Sequence, residues 1–300
     1  MDWQVIWLFL QQGVASGLVT GSIYALLAVA IVIIFKTTDA PNFAAGELFM
    51  AAAYVALYLL VFLALPFVAV VPISLGIAFI AAALFYRIVL QKIGSSAAVT
   101  VNVVIATLGL SFVLKGLVRK TGVGDVPRSF PSIFGNDTVM IGQAVLTMQD
   151  IGILVLAVLS MTIFFLFFNF TRTGRAMRAV GMNPKAAVLV GINLRRTRML
   201  IWGLSGLLSS LAAILIAPKI LMTADMGSVV ILGFAAAIIG GFTSLPGAVL
   251  GGIIIGVVEN LVGLFISSRA ISVAPFVAIM LVLVLRPQGL LGGKVAVKKV

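Results

Sequence analysis

The sequence predicts an all-α membrane protein, a polytopic bundle of transmembrane helices, and three observations lead to that prediction. Of the 300 residues, 62% are hydrophobic and only 9% are charged, whereas a soluble domain carries about 25% charged residues. The mean hydropathy is +1.28, and several charge-free runs reach the ~20 apolar residues that a membrane helix needs. The alternation typical of barrel strands does not recur. Soluble enzymes and disordered proteins are therefore excluded.

Charge-free runs, divided at helix-breaking residues, locate the spans. One run, 48–86, is too long for a single crossing, and Pro66 and Pro72 fall where a turn between two helices is expected. Another, 226–258, contains a cluster of helix breakers at 240–247, and we divide it there. About nine crossings result, with eight or ten also compatible, near 3–35, 47–65, 68–89, 93–114, 151–171, 199–218, 228–241, 246–266 and 270–285.

Basic residues predict the orientation, because Lys and Arg are retained on the cytoplasmic side of membrane spans. Twenty of them against eight acidic residues give a net charge of +12. An N-terminus outside and a C-terminus in the cytoplasm put most basic clusters inside. The 115–150 segment is the exception, since it lies outside in this scheme although it holds Lys115, Arg119, Lys120 and Arg128.

Glycines at four-residue spacing predict close helix packing, because they let two backbones approach. We take them as evidence of fold only, since small residues identify no substrate. They are Gly13, Gly17 and Gly21 in the first span, Gly247 with Gly251, and Gly252 with Gly256.

Two stretches of the sequence have the form of catalytic motifs but lack the partner groups that catalysis requires. The chain has no His and no Cys, which excludes thiol nucleophiles, imidazole bases, disulfides and most transition-metal sites. Gly203-Leu204-Ser205-Gly206 has the form of an intramembrane serine protease motif, but its hydroxyl lacks a base, which favours a packing role. Gly122-Val123-Gly124-Asp125 resembles an aspartyl protease motif but lacks a second aspartate within a facing membrane helix. The sequence also lacks a nucleotide-binding Gly-x4-Gly-Lys-Ser/Thr loop, so an ATP-driven step would require another chain.

Two carboxylates fall at or near membrane depth. Glu47 follows the broken polar stretch 37–46, and Glu259 lies near a helix end. An ionisable group in a span costs about 2.5–3.5 kcal/mol on insertion scales, so it usually faces a cavity or a partner. Each is either a translocation-path or gating residue, or a structural hydrogen-bonding group. The broken or re-entrant segment at 240–247 leaves the same alternatives open, because backbone at membrane depth must be covered by protein or line a cavity.

The loop from 171 to 198 carries seven cations and no acidic residue. Within it the sequence predicts a short helix with Asn183 as N-cap, Pro184 at the first helical position and Gly191 as the stop. Its body, 185–190, would expose apolar surface to the cytosol unless it docked on something. We therefore expect this short apolar helix to insert into a groove on a partner protein.

Two parts of the loop, 171–181 and 185–191, and four segments outside it resemble the branched-chain amino acid permeases. Residues 185–191, Lys-Ala-Ala-Val-Leu-Val-Gly, are similar to the Glu-Ala-Ala-x3-Gly coupling segment of ABC-importer permeases, with Lys in place of Glu. Ala45 stands where the family frequently has His, and Phe242-Thr243 where it commonly has Met-Gly. The other similar segments are 171–181, Gly21-Ser22-Ile23-Tyr24-Ala25-Leu26, Asn42-Phe43-Ala44-Ala45-Gly46-Glu47, 240–252 and the tail Arg286-Pro287-Gln288-Gly289-Leu290.

The resemblance, which is to the LivH-type subunit, implies a single permease domain over 1–300, including a cytoplasmic coupling loop at 171–198, in a bacterial cytoplasmic membrane. It implies branched-chain, aliphatic amino acids as substrate. The implied partners are a second permease of the LivM type, two cytoplasmic ATPases of the LivG and LivF type, an extracytoplasmic substrate-binding protein and the lipid bilayer, without nucleic acid. Neither a cofactor nor enzymatic activity is expected of this chain, since the partner subunits would use the ATP.

The site residues that we expect form two groups. Closure of the ATPases would push on the coupling segment and switch the bundle between outward and inward access, although each cation there could simply mark the cytoplasmic side. The coupling group is Arg175, Arg178, Asn183, Pro184, Lys185, Ala186, Ala187 and Gly191. The expected translocation path is Tyr24, Asn42, Phe43, Glu47, Thr243, Ser244 and Glu259.

An ATP-independent secondary transporter or channel for small polar solutes is the alternative. Such folds also use intramembrane carboxylates and broken helices, but they do not account for the coupling-type helix. Uptake by the chain alone, driven by an ion gradient and indifferent to ATP, would favour this alternative.

Overall fold

The computed structural model describes residues 3–38, 40–93, 99–122, 124, 126–135 and 137–293. Within these residues the fold consists of α-helices and one two-stranded hairpin. In chain order the elements are α1 (Trp3–Thr38), α2 (Ala45–Leu57), α3 (Phe67–Ile88), α4 (Val99–Lys120), β1 (Thr138–Ile141), β2 (Ala144–Thr147), α5 (Met148–Phe170), α6 (Arg172–Met182), α7 (Pro184–Leu189), α8 (Leu194–Ile216), α9 (Val229–Gly240), α10 (Leu245–Phe265) and α11 (Ala274–Leu285).

Apolar helices of membrane-spanning length confirm the predicted fold class, a polytopic helical membrane bundle. Among the described residues, seven helical stretches are long and apolar enough to cross, and two shorter apolar helices occupy Met226–Gly240 and Ala274–Leu285. Each of the nine predicted spans overlaps one of these helices, and residues 94–98 of the span predicted at 93–114 lie outside the described residues. The number of crossings and the sides of the two termini stay predictions, as does the single domain over 1–300.

The predicted breaks are real, but the place of Pro72 and the ends of α4 and α8 differ from the prediction. The chain leaves helical structure between α1 and α2 and again between α9 and α10. Pro66 is the N-cap of α3 as expected, whereas Pro72 lies inside that helix and not in a turn. Helix α4 continues through Lys115 to Lys120, and α8 begins before Arg195. A charge ends an apolar run but not a helix, because long cationic side chains reach the interface from a helix end.

Contacts group the chain into two compact units. The first unit comprises 1–32, 134–157 and 231–300, and the second comprises 33–133 and 158–230. Helices α1 and α5 each contribute a part to both units.

The core of the first unit is the crossing of α1 and α10, where glycines face backbone. A Cβ added at Gly17 would lie 2.6 Å from the Cα of Val257, and one at Gly21 would lie 2.9 Å from the carbonyl oxygen of Gly252. Added at Gly256, a Cβ would collide with the backbone of Gly17 and Gly21. The close packing predicted from the glycine spacing is therefore confirmed here.

The core of the second unit is the packing of α3 on α8. Trp202 is fully buried and stacks on Tyr86, with ring centroids 6.4 Å apart. A Cβ at Gly203 would lie 2.6 Å from the ring of Phe79, and one at Gly206 would lie 2.7 Å from the carbonyl oxygen of Ala78. The protease-like motif at 203–206 is thus a helix-packing motif.

A hairpin that was not predicted lies in the first unit, between α4 and α5 in sequence. Its strands pair antiparallel, with Thr138 opposite Thr147, around a turn in which Gly142 has φ +67°. The side-chain amide of Gln12 in α1 accepts from the Val145 N–H at 2.9 Å and donates to the Val145 carbonyl at 3.1 Å. One glutamine therefore binds the outer edge of β2 as a neighbouring strand would.

Candidate functional site

The capped helix predicted in the basic loop is present as α7. The Asn183 side chain accepts a hydrogen bond from the Ala186 N–H at 3.1 Å, and Pro184 occupies the first turn. At the other end Gly191 adopts φ +82°, and the Ile192 N–H donates to the Ala187 carbonyl at 3.0 Å. The two ends of α7 are therefore closed by the cap and the left-handed glycine that the sequence indicates.

An apolar knob protrudes at the C-terminal end of this helix. We use the name coupling knob for residues 182–191, in which Ala187 is turned inward and 2% exposed, and Leu189 is turned outward and 87% exposed. Four large apolar side chains of the coupling knob are exposed: Met182, Val188, Leu189 and Val190. Apolar surface of this kind on a polar loop marks an interaction site.

The cations around the coupling knob fall into two classes. Arg178 is directed inward, where its guanidinium donates to the Phe168 carbonyl and to Asn169 Oδ1 and lies 5.7 Å from the centre of the Phe168 ring. Arg178 thus closes the C-terminal end of α5, a favourable place for a cation. The remaining exposed cations of the loop are Arg172, Arg175, Lys185, Arg195 and Arg196.

Helix α6, which leads into the coupling knob, is capped at its start and lies against the end of α1. The Thr171 hydroxyl caps its start by accepting from the Gly174 N–H at 3.0 Å. At its other end, a Cβ added at Gly181 would lie 3.1 Å from the carbonyl oxygen of Lys36 in α1. The loop is therefore a folded element with fixed supports at both ends of α6.

Two predicted path residues, Tyr24 and Glu259, meet in the first unit. The Tyr24 hydroxyl lies close to the Glu259 carboxylate. Tyr24 is 5% exposed, and the second carboxylate oxygen, Oε2, is buried with no hydrogen-bond partner among the described residues. A carboxylate at membrane depth is normally fully paired, so Glu259 keeps an acceptor oxygen available to a further group.

Sequence reasoning missed the neighbours of this pair. Asn260 Nδ2 donates to Thr20 Oγ1 at 2.9 Å, which joins α10 to α1, and also to the Gly256 carbonyl at 2.9 Å. The signal was an asparagine directly after Glu259 in an otherwise apolar helix, since such side chains hydrogen-bond across membrane helices.

Three further path residues lie in the second unit, at the start of α2. Asn42 is 2% exposed, and its side chain accepts from the Ala44 N–H at 3.0 Å. The Phe43 N–H donates to Thr107 Oγ1 at 3.4 Å, while the Phe43 ring is 43% exposed. Glu47 is half-buried in the first turn of α2. Asn42 therefore has a structural role in this turn, and Phe43 and Glu47 retain exposed side-chain atoms.

The last two path residues, Thr243 and Ser244, are used by the break between α9 and α10. Ser244 caps α10 by accepting from the Gly247 N–H at 3.1 Å, and Thr243 Oγ1 accepts from the Gly293 N–H at 3.0 Å. The tail that follows α11 packs here, because the Leu290 N–H donates to the Ile239 carbonyl at 2.8 Å. Both hydroxyls thus have local structural partners, whatever part they take in a path.

The class defined by the fold is a multi-pass integral membrane protein. Within that class, the chain belongs to the family described as branched-chain amino acid transport system / permease component, whose model matches residues 13–285. It is 31% identical to the high-affinity branched-chain amino acid transport system permease protein LivH of Salmonella typhimurium, over 95% of this chain and 96% of that protein.

Two further relatives extend this similarity. The high-affinity branched-chain amino acid transport system permease protein BraD of Pseudomonas aeruginosa is 29% identical over 96% of this chain and 97% of its own length. The probable branched-chain amino acid transport permease protein LivH of Methanocaldococcus jannaschii is 29% identical over 84% and 81%. The similarity therefore covers the spans, the breaks and the coupling knob together.

Proposed function

We propose that the chain is a permease subunit of an ATP-driven importer of branched-chain amino acids in a bacterial cytoplasmic membrane. It forms part of the translocation path beside a second permease of the LivM type. Two cytoplasmic ATPases of the LivG and LivF type drive transport, and an extracytoplasmic binding protein delivers the substrate. The similarity to bacterial permease proteins of high-affinity branched-chain amino acid transport systems supports this substrate.

The coupling knob is the observation on which the ATP-driven mechanism depends. It combines an apolar tip, with Leu189 87% exposed, with a ring of exposed cations and a rigid mounting on α6. An apolar tip fits a groove on a partner, and the cations favour an acidic rim around that groove. Since α6 contacts the end of α1, a push on the tip would be transmitted to a membrane helix.

The test is Leu189→Glu, which places a charge on the tip while leaving the buried Ala187 in position. We expect at least about tenfold weaker co-purification of the ATPase subunits, since a central apolar anchor typically contributes 2 kcal/mol or more, and loss of ATP-dependent uptake. Ala187→Asp combined with Gly191→Leu, which unfolds the coupling knob, should give the same loss.

A matched control separates docking from folding. Met140→Glu changes an equally apolar side chain, 71% exposed in β1, and should leave assembly and uptake unchanged. All variants must reach the membrane at the wild-type level. Normal ATPase binding and normal uptake by Leu189→Glu would contradict the proposal.

The Tyr24–Glu259 pair supports a second candidate, an ATP-independent carrier driven by an ion gradient. In that case the purified chain alone, in vesicles, would take up solute in response to a proton or sodium gradient, and Glu259→Gln would abolish that uptake. Under the ATP-driven proposal the chain alone is inactive, and Glu259→Gln changes the uptake rate of the assembled transporter only.

A further inference from the structure

A line of polar side chains runs along α1 from near its start to its middle. They follow one another at a spacing of four residues, so each lies beside the next on the helix surface. Together they extend over about 18 Å of helix. We use the name polar lane for these four residues, which are Gln12, Ser16, Thr20 and Tyr24.

Hydrogen bonds make the polar lane continuous. Gln12 Nε2 donates to Ser16 Oγ at 3.0 Å, and Thr20 Oγ1 donates to the Ser16 carbonyl at 3.2 Å. Asn260 of α10 donates to Thr20 Oγ1 at 2.9 Å. Ser16 and Thr20 are only half-buried, so part of each stays accessible. Polar groups exposed on a membrane helix are costly in lipid and usually face a water-filled cavity.

The polar lane ends at a carboxylate. The Tyr24 hydroxyl lies close to the Glu259 carboxylate, whose Oε2 is buried with no hydrogen-bond partner in the part of the chain that the structure describes. Beyond Tyr24, α1 continues with apolar residues from Ala25 to Val32, each no more than 3% exposed. The polar lane is therefore accessible along Ser16 and Thr20 and closed beyond Tyr24.

The closed end of the polar lane has an unbalanced negative charge. Glu259 is the only charged residue of α10, and α1 has only Lys36, in its last turn. Glu259 also belongs to no salt bridge among the described residues. A largely buried carboxylate is costly unless a cation or hydrogen-bond donors compensate it. The unpartnered oxygen therefore calls for a group that brings N–H donors and positive charge together.

We propose that Glu259 and Tyr24 bind the primary ammonium group of the amino acid in transit, and that the polar lane is its route to them. An ammonium group brings three N–H donors and the positive charge that Glu259 lacks. The assignment rests on the proposed function, which supplies the substrate. In the predicted orientation the polar lane begins on the side from which a binding protein would deliver it, and the site lies near the middle of a span, as substrate sites of transporters commonly do.

The absence of cysteine from the sequence permits a direct test of the charge. A single Thr20→Cys places a thiol one turn before Tyr24 in the assembled transporter, without ATP or binding protein. Aminoethyl methanethiosulfonate carries a primary ammonium, methyl methanethiosulfonate is neutral, and mass spectrometry of this chain gives both modification rates. We expect Glu259→Gln to lower the ratio of the ammonium rate to the neutral rate about tenfold or more, and Glu259→Asp to preserve most of it.

Leu18→Cys is the matched control. Leu18 lies two residues before Thr20, at nearly the same depth, and faces another side of α1, where it is 38% exposed. Glu259→Gln should leave the ratio there unchanged. No effect of Glu259→Gln at position 20, or an equal effect at both positions, would overturn the proposal. So would an ammonium preference in the isolated chain that disappears on assembly, because a partner's side chain would then occupy Glu259.

Competition identifies the group that is bound. Isoamylamine is leucine without its carboxylate, and isocaproate is leucine without its ammonium. We expect leucine and isoamylamine to slow the modification of Thr20→Cys by the neutral reagent several-fold, isocaproate to have no effect, and Glu259→Gln to abolish the protection. Protection by isocaproate as strong as that by leucine, or none by isoamylamine, would overturn the proposal.

The same measurements separate this proposal from the proposed function. Protection by isoamylamine but not by leucine would confirm an ammonium site and contradict the proposed substrate. Protection by both amines, together with uptake that is indifferent to ATP, would contradict the ATP-driven mechanism and still support the ammonium site.

Discussion

The helix crossings at the cores of the two units differ in what their glycines face. On α1 and α10 the glycines at 17, 21, 252 and 256 meet backbone atoms of the other helix. On α8, Gly206 also meets backbone, the Ala78 carbonyl oxygen, but Gly203 meets the ring of Phe79 in α3, and a large aromatic, Trp202, lies beside it. A side chain can turn away from an intruding atom, whereas a backbone neighbour moves only if its whole helix moves. The glycines of the first crossing should therefore tolerate far less change than Gly203 of the second.

The largest effect is expected from Gly256→Ala. Its methyl group would collide with the backbone of Gly17 and Gly21, so the helices must separate, and we expect the free energy of unfolding to fall by at least ~3 kcal/mol. Reversible denaturation in mixed micelles measures it. Gly116→Ala is the control, because no atom lies within 4 Å of the added Cβ and helix propensity predicts a gain of about 0.5–1 kcal/mol. Similar small changes in both variants would refute the comparison.

Gly203→Ala should cost less, about 1–2 kcal/mol, because the Phe79 ring can shift. The same denaturation assay can test whether the Phe79 ring is what resists the added methyl group. Adding Phe79→Leu should recover part of the loss, so that the double variant is more stable than the sum of the single changes predicts. Strict additivity would show that the ring is not what resists the methyl group.

A smaller effect is expected from the polar contact that joins α10 to α1. The Asn260–Thr20 hydrogen bond should contribute about 0.6 kcal/mol, the average for such bonds between membrane helices. A double-mutant cycle of Asn260→Ala and Thr20→Val measures it. Ser22→Ala provides the reference, since the Ser22 hydroxyl donates to the Val19 carbonyl of its own helix. A coupling above about 2 kcal/mol would mean that hydrogen bonding, not glycine packing, dominates this crossing.

The smallest effect is expected outside the helix crossings, at Asp225. The hydrogen bond and charge of Lys115 hold the pKa of this exposed carboxyl below its ordinary value, and Arg119 adds to the effect. A lowered pKa stabilises the fold above the ordinary carboxyl pKa of about 3.9, and the contribution is lost as the pH falls through the lowered value. The thermal midpoint of the wild type should therefore approach that of Asp225→Asn as the pH falls from 7 to 3.

Salt provides the check on this small effect. Because the ion pair is exposed, its contribution should disappear at high ionic strength. Lys115→Gln should remove most of the difference between the wild type and Asp225→Asn. A difference that persisted at high salt in that background would exclude the ion pair as its cause.

Local signals predicted most of the fold. The charge-free runs locate every long apolar helix, because hydrophobicity alone decides which segments can lie in lipid. The ends of α7 followed from Asn183, Pro184 and Gly191, since caps act within a few residues of the chain. The glycine spacing predicted close packing by α1 and α10, although not that they pack on each other, because one helix face can be read from its own sequence.

Contacts between distant segments were beyond sequence reasoning. The hairpin depends on Gln12, whose partner Val145 lies 133 residues away. The pairing of Tyr24 with Glu259 is of the same kind, although each residue alone was predicted as a path residue. Thr243 and Ser244 were predicted for the path because they are polar in an apolar stretch, and their hydrogen bonds to Gly293 and Gly247 could not be foreseen. The translocation path itself stays a prediction.

The contact between the tail and α9 has a consequence for the order of synthesis. Helix α9 ends with carbonyl groups at Ile239 and Gly240 whose partners are the N–H groups of Leu290 and Leu291. The ribosome makes those partners about fifty residues later, after α10 and α11. Until then the last turn of α9 lacks these hydrogen bonds, so a nascent chain that stopped before residue 290 would carry all its hydrophobic segments and still leave the Ile239 and Gly240 carbonyls without these partners.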